Sequence, residues 1–294
     1  VSADVPATEL DHPGTAGLDT VSTEQLVALL VADQQRSAQA VAERTPAIAR
    51  IVDRTAQRLR DGGRLHYVGA GTSGRLGVID AAELYPTFRV GSEQVMAHIA
   101  GGTDAFTRAI EGAEDDGDAG RRLALERVRE IDVVFGISAS GSAPFVVAAL
   151  AVSAQRGAYT VAIVNVPSSP LARIAEDVLE LTTGPEALTG STRLKAGTAQ
   201  KIALNTLSTA IMVRLGKVFG NRMVDVVATN RKLRARAVAL VESIAGVDRE
   251  RAERALDRCD GRVKVAIVTL RRGVDATVAA DLLDAAGGSL RAVL

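Results

Sequence analysis

The sequence predicts an α/β protein, a three-layer parallel sheet flanked by helices, with a small all-helical C-terminal domain. Three observations predict it. Short apolar runs at 64–69, 95–100, 131–137 and 159–166, with a weaker one at 178–182, alternate with helical patterns near 75–84, 118–130 and 144–156. Two of those runs end in Ser/Gly-rich turns that open a helix, as strands of parallel sheets do at their carboxyl ends. Past about residue 220 the composition shifts to short helical segments punctuated by Gly246, Gly261, Gly273 and Gly287-Gly288.

In order along the chain, residues 1–20 are polar, carry Pro6, Pro13, Gly14 and Gly17, and read as a flexible arm without its own core. Ser22-Thr23-Glu24 caps a short helix with Leu26, Leu29 and Leu30 on its apolar side. A second helical pattern covers about 36–60, with Val41, Ile48, Ile51, Val52 and Leu59 in one stripe, and stops at Gly62-Gly63. The strand–helix alternation follows, with Pro86 expected to force the chain out of helix just after Glu83. A long apolar helix is expected over about 198–219, then three short helical segments beginning with the basic stretch 231–236. The expected domains are therefore the arm, a catalytic domain over 21–220 and a helical domain over 221–294.

Composition narrows the function. The 35 basic and 35 acidic residues cancel, so no global field argues for nucleic acid or an anionic membrane surface. The first 35 residues hold six acids and no Lys or Arg, which argues against an N-terminal DNA-binding module. Cys259 is the only cysteine, and His12, His66 and His98 show no ligand spacing, so neither a disulfide nor a metal site is expected. His66 and His98 are expected to pack within strands. No apolar run reaches membrane-span length and the first residues lack a signal-peptide pattern, so the expected compartment is cytoplasmic.

The turns Gly69-Ala70-Gly71-Thr72-Ser73-Gly74-Arg75 and Ser138-Ala139-Ser140-Gly141-Ser142-Ala143-Pro144 carry the chemistry. The first matches the dinucleotide GxGxxG pattern, but Glu93 precedes the second strand rather than ending it, so the acidic ribose partner is missing. As a pair, the turns offer helix N-terminal amides and the hydroxyls of Thr72, Ser73, Ser138, Ser140 and Ser142 to a dianionic phosphate ester. Glu83 and Glu114 supply acid–base candidates. A third block, 184–198, brings hydroxyls and cations, among them Ser191, Arg193 and Lys195, to the start of the long helix.

The strings GAGTSGRLGVIDAAEL, IEGAEDD, GISASGSAP, LTGSTRLKAGTAQK and KVFGNRMVDVVATN resemble the N-acetylmuramic acid 6-phosphate etherases, from about residue 20 to the C-terminus. The resemblance implies a sugar isomerase (SIS) fold, a helical tail and a homodimer with sites near the subunit interface. It also implies cleavage of a lactyl ether in cell-wall recycling, without a cofactor, with a phosphorylated amino sugar as substrate. It places the family's acid on Glu83 and its second catalytic glutamate on Glu114. Its phosphate contacts fall on Thr72, Ser73, Ser138, Ser140 and Ser142; Gly71 of the first turn and Ser191 and Lys195 of the third block are further candidate substrate-binding residues on the residue reading alone. The Leu84-Tyr85-Pro86 that follows Glu83 departs from the family's usual Pro-rich form, which alters a pocket wall and leaves the glutamate in place.

Two carboxylates suit that reaction. A C3 ether is inert until the sugar opens to its aldehyde, which acidifies the C2 proton and sets the C3 oxygen β to a carbonyl. One ionised carboxylate then removes the C2 proton and one protonated carboxyl neutralises the leaving oxygen. A phosphosugar-sensing regulator and an aldose/ketose phosphate isomerase would use the same loops; neither would release lactate.

Overall fold

The computed structural model describes residues 6–227 and 231–294; residues 1–5 of the arm, and Ala228-Thr229-Asn230 at the end of the fifth string, lie outside the described residues. Its elements run α1 (Thr23–Ala42), α2 (Thr45–Arg60), β1 (Leu65–Gly69), α3 (Gly71–Phe88), β2 (Val95–Ile99), α4 (Gly117–Arg127), β3 (Val133–Ser138), α5 (Pro144–Gln155), β4 (Tyr159–Val164), α6 (Pro170–Ile174) and β5 (Asp177–Glu180). Then follow α7 (Lys195–Arg214), β6 (Val218–Phe219), β7 (Arg222–Met223), α8 (Arg231–Ala245), α9 (Arg249–Arg258), α10 (Val263–Arg272), α11 (Ala276–Ala285) and α12 (Leu290–Val293). The chain divides into two compact units, 1–81 with 94–207, and 82–93 with 208–294.

In the first unit β1–β5 form one parallel sheet in the order β2-β1-β3-β4-β5. β1, β3 and β4 are buried along their whole length, which is why they read as unbroken apolar runs. The edges β2 and β5 are only partly covered, and β5 gave the weak signal. The strand order reverses between β1 and β3, the switch point where open α/β sheets leave a crevice at the carboxyl ends. Both Ser/Gly turns leave from those two strands.

Three helix expectations change. The pattern over 36–60 is two helices, because α1 runs on to Ala42 and Pro46, lacking an N–H, is accommodated in the first turn of α2. The α2 residues Ile48, Ile51, Val52, Ala56 and Leu59 form its buried stripe. Pro86 does not end α3, which continues to Phe88 and stops at Arg89, in a left-handed conformation (φ 56°). A proline so near the helix end forfeits a single i→i−4 bond, and Arg89 N still donates to Tyr85 O at 2.9 Å. The long apolar helix is α7, displaced toward the N-terminus, and a two-stranded hairpin, β6–β7, follows it.

The second unit carries five helices of its own, α8–α12, among the described residues, where three segments were expected. Its core includes Val238, Val241, Leu256, Ile267, Leu283 and Cys259, so the cysteine is a small apolar packing residue. The basic start of α8 is a solvated face, with Arg234 paired to Asp257 at 2.6 Å.

His66 and His98 do more than pack. Buried Asp132 is gripped by Arg64 at 2.7 Å and Arg129 at 2.8 Å, and its Oδ2 lies 3.3 Å from His66 Nε2. His66 Nδ1 lies 3.0 Å from His98 Nε2. Burial raises the Asp132 carboxyl, but its bonds to Arg64 and Arg129 outweigh that and hold it well below the usual range. An ionised Asp132 draws the Nε2 proton of His66, which leaves Nδ1 to accept from His98. Burial first, then His66, Arg127 and Arg64, push His98 down to about 4. A depressed histidine makes the fold most stable above its unfolded value near 6.5, and that contribution is lost progressively as pH falls from there to about 4, where the folded state also takes up the proton. Urea titrations at pH 7.5 and 4.5 should therefore show His98→Asn losing about 2–3 kcal/mol less over that interval than the wild type. Equal losses would clear His98 of this role.

Candidate active site

The two turns meet in one cavity of about 510 Å³, lined by Ala70, Gly71, Thr72, Ser73, Ser138, Ala139, Ser140, Ser142, Ala143, Pro144, Thr192, Glu9, Glu114 and Asp115. Its volume suits a small-molecule ligand. A larger cavity of about 930 Å³ lies beside β2, walled mainly by Val78, Ile99, Phe106, Ile110, Leu123 and Phe145, and it lacks the convergent hydroxyls and amides. Chemistry, not size, therefore selects the smaller one.

The first turn is compressed. A Cβ at Gly69 would lie 2.7 Å from Gly74 N, and one at Gly74 would lie 2.8 Å from Gly69 O. The GxGxxG spacing here thus serves close strand–helix approach. The first intrahelical bond of α3 is Gly74 N to Ala70 O, so the N–H groups of Gly71, Thr72 and Ser73 precede it and point an anion-binding helix end at the cavity. In the second turn Gly141 sits at φ +67°, and a Cβ there would meet Ser169 Oγ at 2.2 Å; only glycine fits. Its carbonyl accepts from Leu171 N at 2.9 Å, which ties the turn to α6.

The hydroxyls divide by where their protons go. Gly141 N donates to Ser138 Oγ at 3.1 Å, and the Ser138 proton has no acceptor among the described residues. Ser140 and Ser142 lie 2.8 Å apart and hold one proton between them, leaving the other for a ligand. Ser73 is different. Asn165 Nδ2 donates to Leu181 O at 2.9 Å, so its Oδ1 accepts from Gln200 Nε2 at 3.0 Å, and Gln200 Oε1 must accept from Ser73 Oγ at 2.8 Å. A backbone carbonyl fixes the direction of the whole chain. Ser73 can thus offer an anion its amide, while its hydroxyl proton is committed to Gln200.

Glu114 sits on a 3-10 turn, Ala113–Asp115, on the cavity wall, with no partner for its carboxylate among the described residues. Glu83 is exposed on α3, twelve residues beyond Gly71 in sequence, and is not among the residues that line the cavity. Lys195 turns inward instead of supplying charge to the cavity: it is 3% exposed and its Nζ meets Asp33 Oδ1 at 2.5 Å. Its backbone N–H and that of Ala196 cap α7 by donating to buried Glu186 at 3.0 and 2.9 Å, and burial pushes the Glu186 carboxyl up despite them. Ser191 is half-buried in the turn before α7, and its neighbour Thr192, not Ser191, lines the cavity. Glu9, Asp115 and Thr192 are lining residues that the sequence reading did not single out; Glu9 carries no motif and reaches the cavity only through the tertiary fold.

The chain matches the class of SIS-domain proteins. Models of the "SIS domain" match residues 114–210 and of the "Glucokinase regulatory protein N-terminal SIS domain" residues 47–154. Solved structures agree on the fold: phosphoheptose isomerase GmhA from Neisseria gonorrhoeae has a TM-score of 0.50 at 18% identity, over 66% of this chain and 98% of that one. A solved protein of E. coli CFT073 also scores 0.50 at 18% identity, over 68% and 97%. Within that class the chain belongs to the N-acetylmuramic acid 6-phosphate etherase family. The curated etherase of Deinococcus radiodurans is 49% identical over 98% of this chain and 94% of its own length. Those of Streptomyces coelicolor and Symbiobacterium thermophilum are 49% identical over 98% and 93%, and 51% identical over 87% and 86%.

Proposed function

We infer that this chain cleaves the D-lactyl ether of N-acetylmuramic acid 6-phosphate by elimination followed by hydration, giving N-acetylglucosamine 6-phosphate and D-lactate for cell-wall amino-sugar recycling. The observation that carries the reading is the convergence of both Ser/Gly turns and Glu114 on one cavity. The phosphate docks on the amides of Gly71, Thr72 and Ser73 and on the hydroxyls of Ser138 and the Ser140–Ser142 pair. Glu114 takes the C2 proton of the open-chain sugar, and Glu83 protonates the departing lactate oxygen. Water then adds at C3 with the two groups in reversed roles. Ser191 and Lys195 shape the turn that carries Thr192.

A second subunit is part of this reading. Glu83 is not among the residues that line the cavity, and in this reading the acid is Glu83 of the partner subunit in a homodimer with sites near the interface. A cytoplasmic reaction fits a phosphorylated substrate. Among the described residues no helix is long and apolar enough to cross a membrane.

Incubating the pure protein with N-acetylmuramic acid 6-phosphate in oxygen-18 water tests the reaction. The expected products are unlabelled lactate and N-acetylglucosamine 6-phosphate labelled at C3. Label in lactate means that a different bond breaks, and a rearranged phosphosugar without lactate would favour an isomerase.

A further inference from the structure

The described part of the segment read as a flexible arm, residues 6–20, is fastened down in the structure, and it brings a third carboxylate to the site. Thr8 is buried, Thr189 Oγ1 donates to Asp11 Oδ1 at 3.1 Å, and His12 Nε2 lies 3.3 Å from Asp33 Oδ1, the oxygen that also holds Lys195. Gly14 N donates to His12 Nδ1 at 3.1 Å, which leaves Nε2 to carry the proton toward Asp33. Glu9 follows Thr8 directly and lines the same cavity as both turns and Glu114. Its carboxylate lies close over the backbone of the 184–194 turn: a Cβ at Gly190 would be 3.2 Å from Glu9 Oε2. No hydrogen bond or ion pair engages that carboxylate among the described residues.

Charge decides what Glu9 can hold. The described lining has three carboxylates, Glu9, Glu114 and Asp115, and no Lys or Arg. The substrate named above carries a phosphate and a lactyl carboxylate, and a glutamate repels both. The groups left for it are the neutral donors of the sugar. We propose that Glu9 is a specificity-determining residue that accepts a hydrogen bond from a hydroxyl of the bound amino sugar, so that the N-terminal strap forms one wall of the site. This rests on the etherase reading, because it takes that substrate's charges as given.

The test compares wild type, Glu9→Gln and Glu9→Ala in steady-state lactate release, with inorganic phosphate as a competitive probe. An exposed carboxylate without partners can be replaced without unfolding the chain, which a thermal melt verifies. Glu9→Ala should raise KM about 10-fold or more, the range for losing a hydrogen bond to a charged group, with kcat little changed. Phosphate inhibition should stay constant or tighten, because a repelling charge is gone while the amide cradle is intact. An unchanged KM overturns the proposal. So does phosphate inhibition that weakens in step with KM, the mark of a strap that merely covers the turns. A wild type that releases no lactate defeats the etherase reading instead; calorimetric titration of the same phosphosugar then decides the role of Glu9, an equal Kd in wild type and Glu9→Ala overturning it.

Discussion

Glu114→Gln should keep the fold and the grip on phosphate and lose lactate release by at least about 100-fold, the lower end of what a positioned general base supplies. Glu114 is exposed on a one-turn 3-10 segment and its carboxylate has no partner among the described residues, so stability should move by no more than about 0.5 kcal/mol. Glutamine preserves the shape and removes the base. A second readout separates base from bystander. In deuterium oxide the wild type should wash solvent deuterium into C2 of the sugar, and Glu114→Gln should abolish that exchange together with elimination. Turnover near the wild-type rate, or C2 exchange that survives the substitution, would take Glu114 out of the role.

Glu114 was singled out through the string IEGAEDD and its family resemblance and Glu9 was not, and the two differ in how they reach the cavity. Glu114 stands in a Gly-flanked acidic turn between a sheet strand and the next helix, at the end of the sheet where the two Ser/Gly turns lie. Strand periodicity alone locates that end, because β1, β3 and β4 are buried on both faces and read as apolar runs. Glu9 sits in a polar stretch whose burial depends on partners far along the chain, Thr189 at one point and Asp33 at another. No local period encodes such contacts. Hydroxyl polarity was equally hidden: the string GTSG marks Ser73 as a phosphate donor, yet its proton is drawn away by Gln200, and the direction is imposed by a backbone carbonyl at Leu181. Lys195 misled for the opposite reason, since a cation in a polar loop reads as a ligand group until its buried partner, Asp33, is seen. Pro86 shows that a helix breaker is position-dependent, harmless where only the final turn remains.

Mixing two inactive variants should restore activity. If the acid over each sugar is Glu83 of the partner subunit, Glu83→Gln and Glu114→Gln each cripple both sites of a homodimer. A dimer made of one chain of each kind has one site with both defects and one with neither. Random assembly from equal amounts makes half the dimers mixed, so the mixture should recover about a quarter of wild-type turnover, from a starting level of about a hundredth. Co-expression with two different affinity tags isolates the mixed species, which should then run at about half the wild-type rate per dimer. Were both glutamates drawn from one chain, every site in the mixed dimer would still lack one of them, and activity would stay at the level of the parents. That result would contradict the interface reading and return both glutamates to one chain. Recovery, by contrast, has no explanation in a monomeric site. Two defective chains regain turnover only if each lends the other the group it kept.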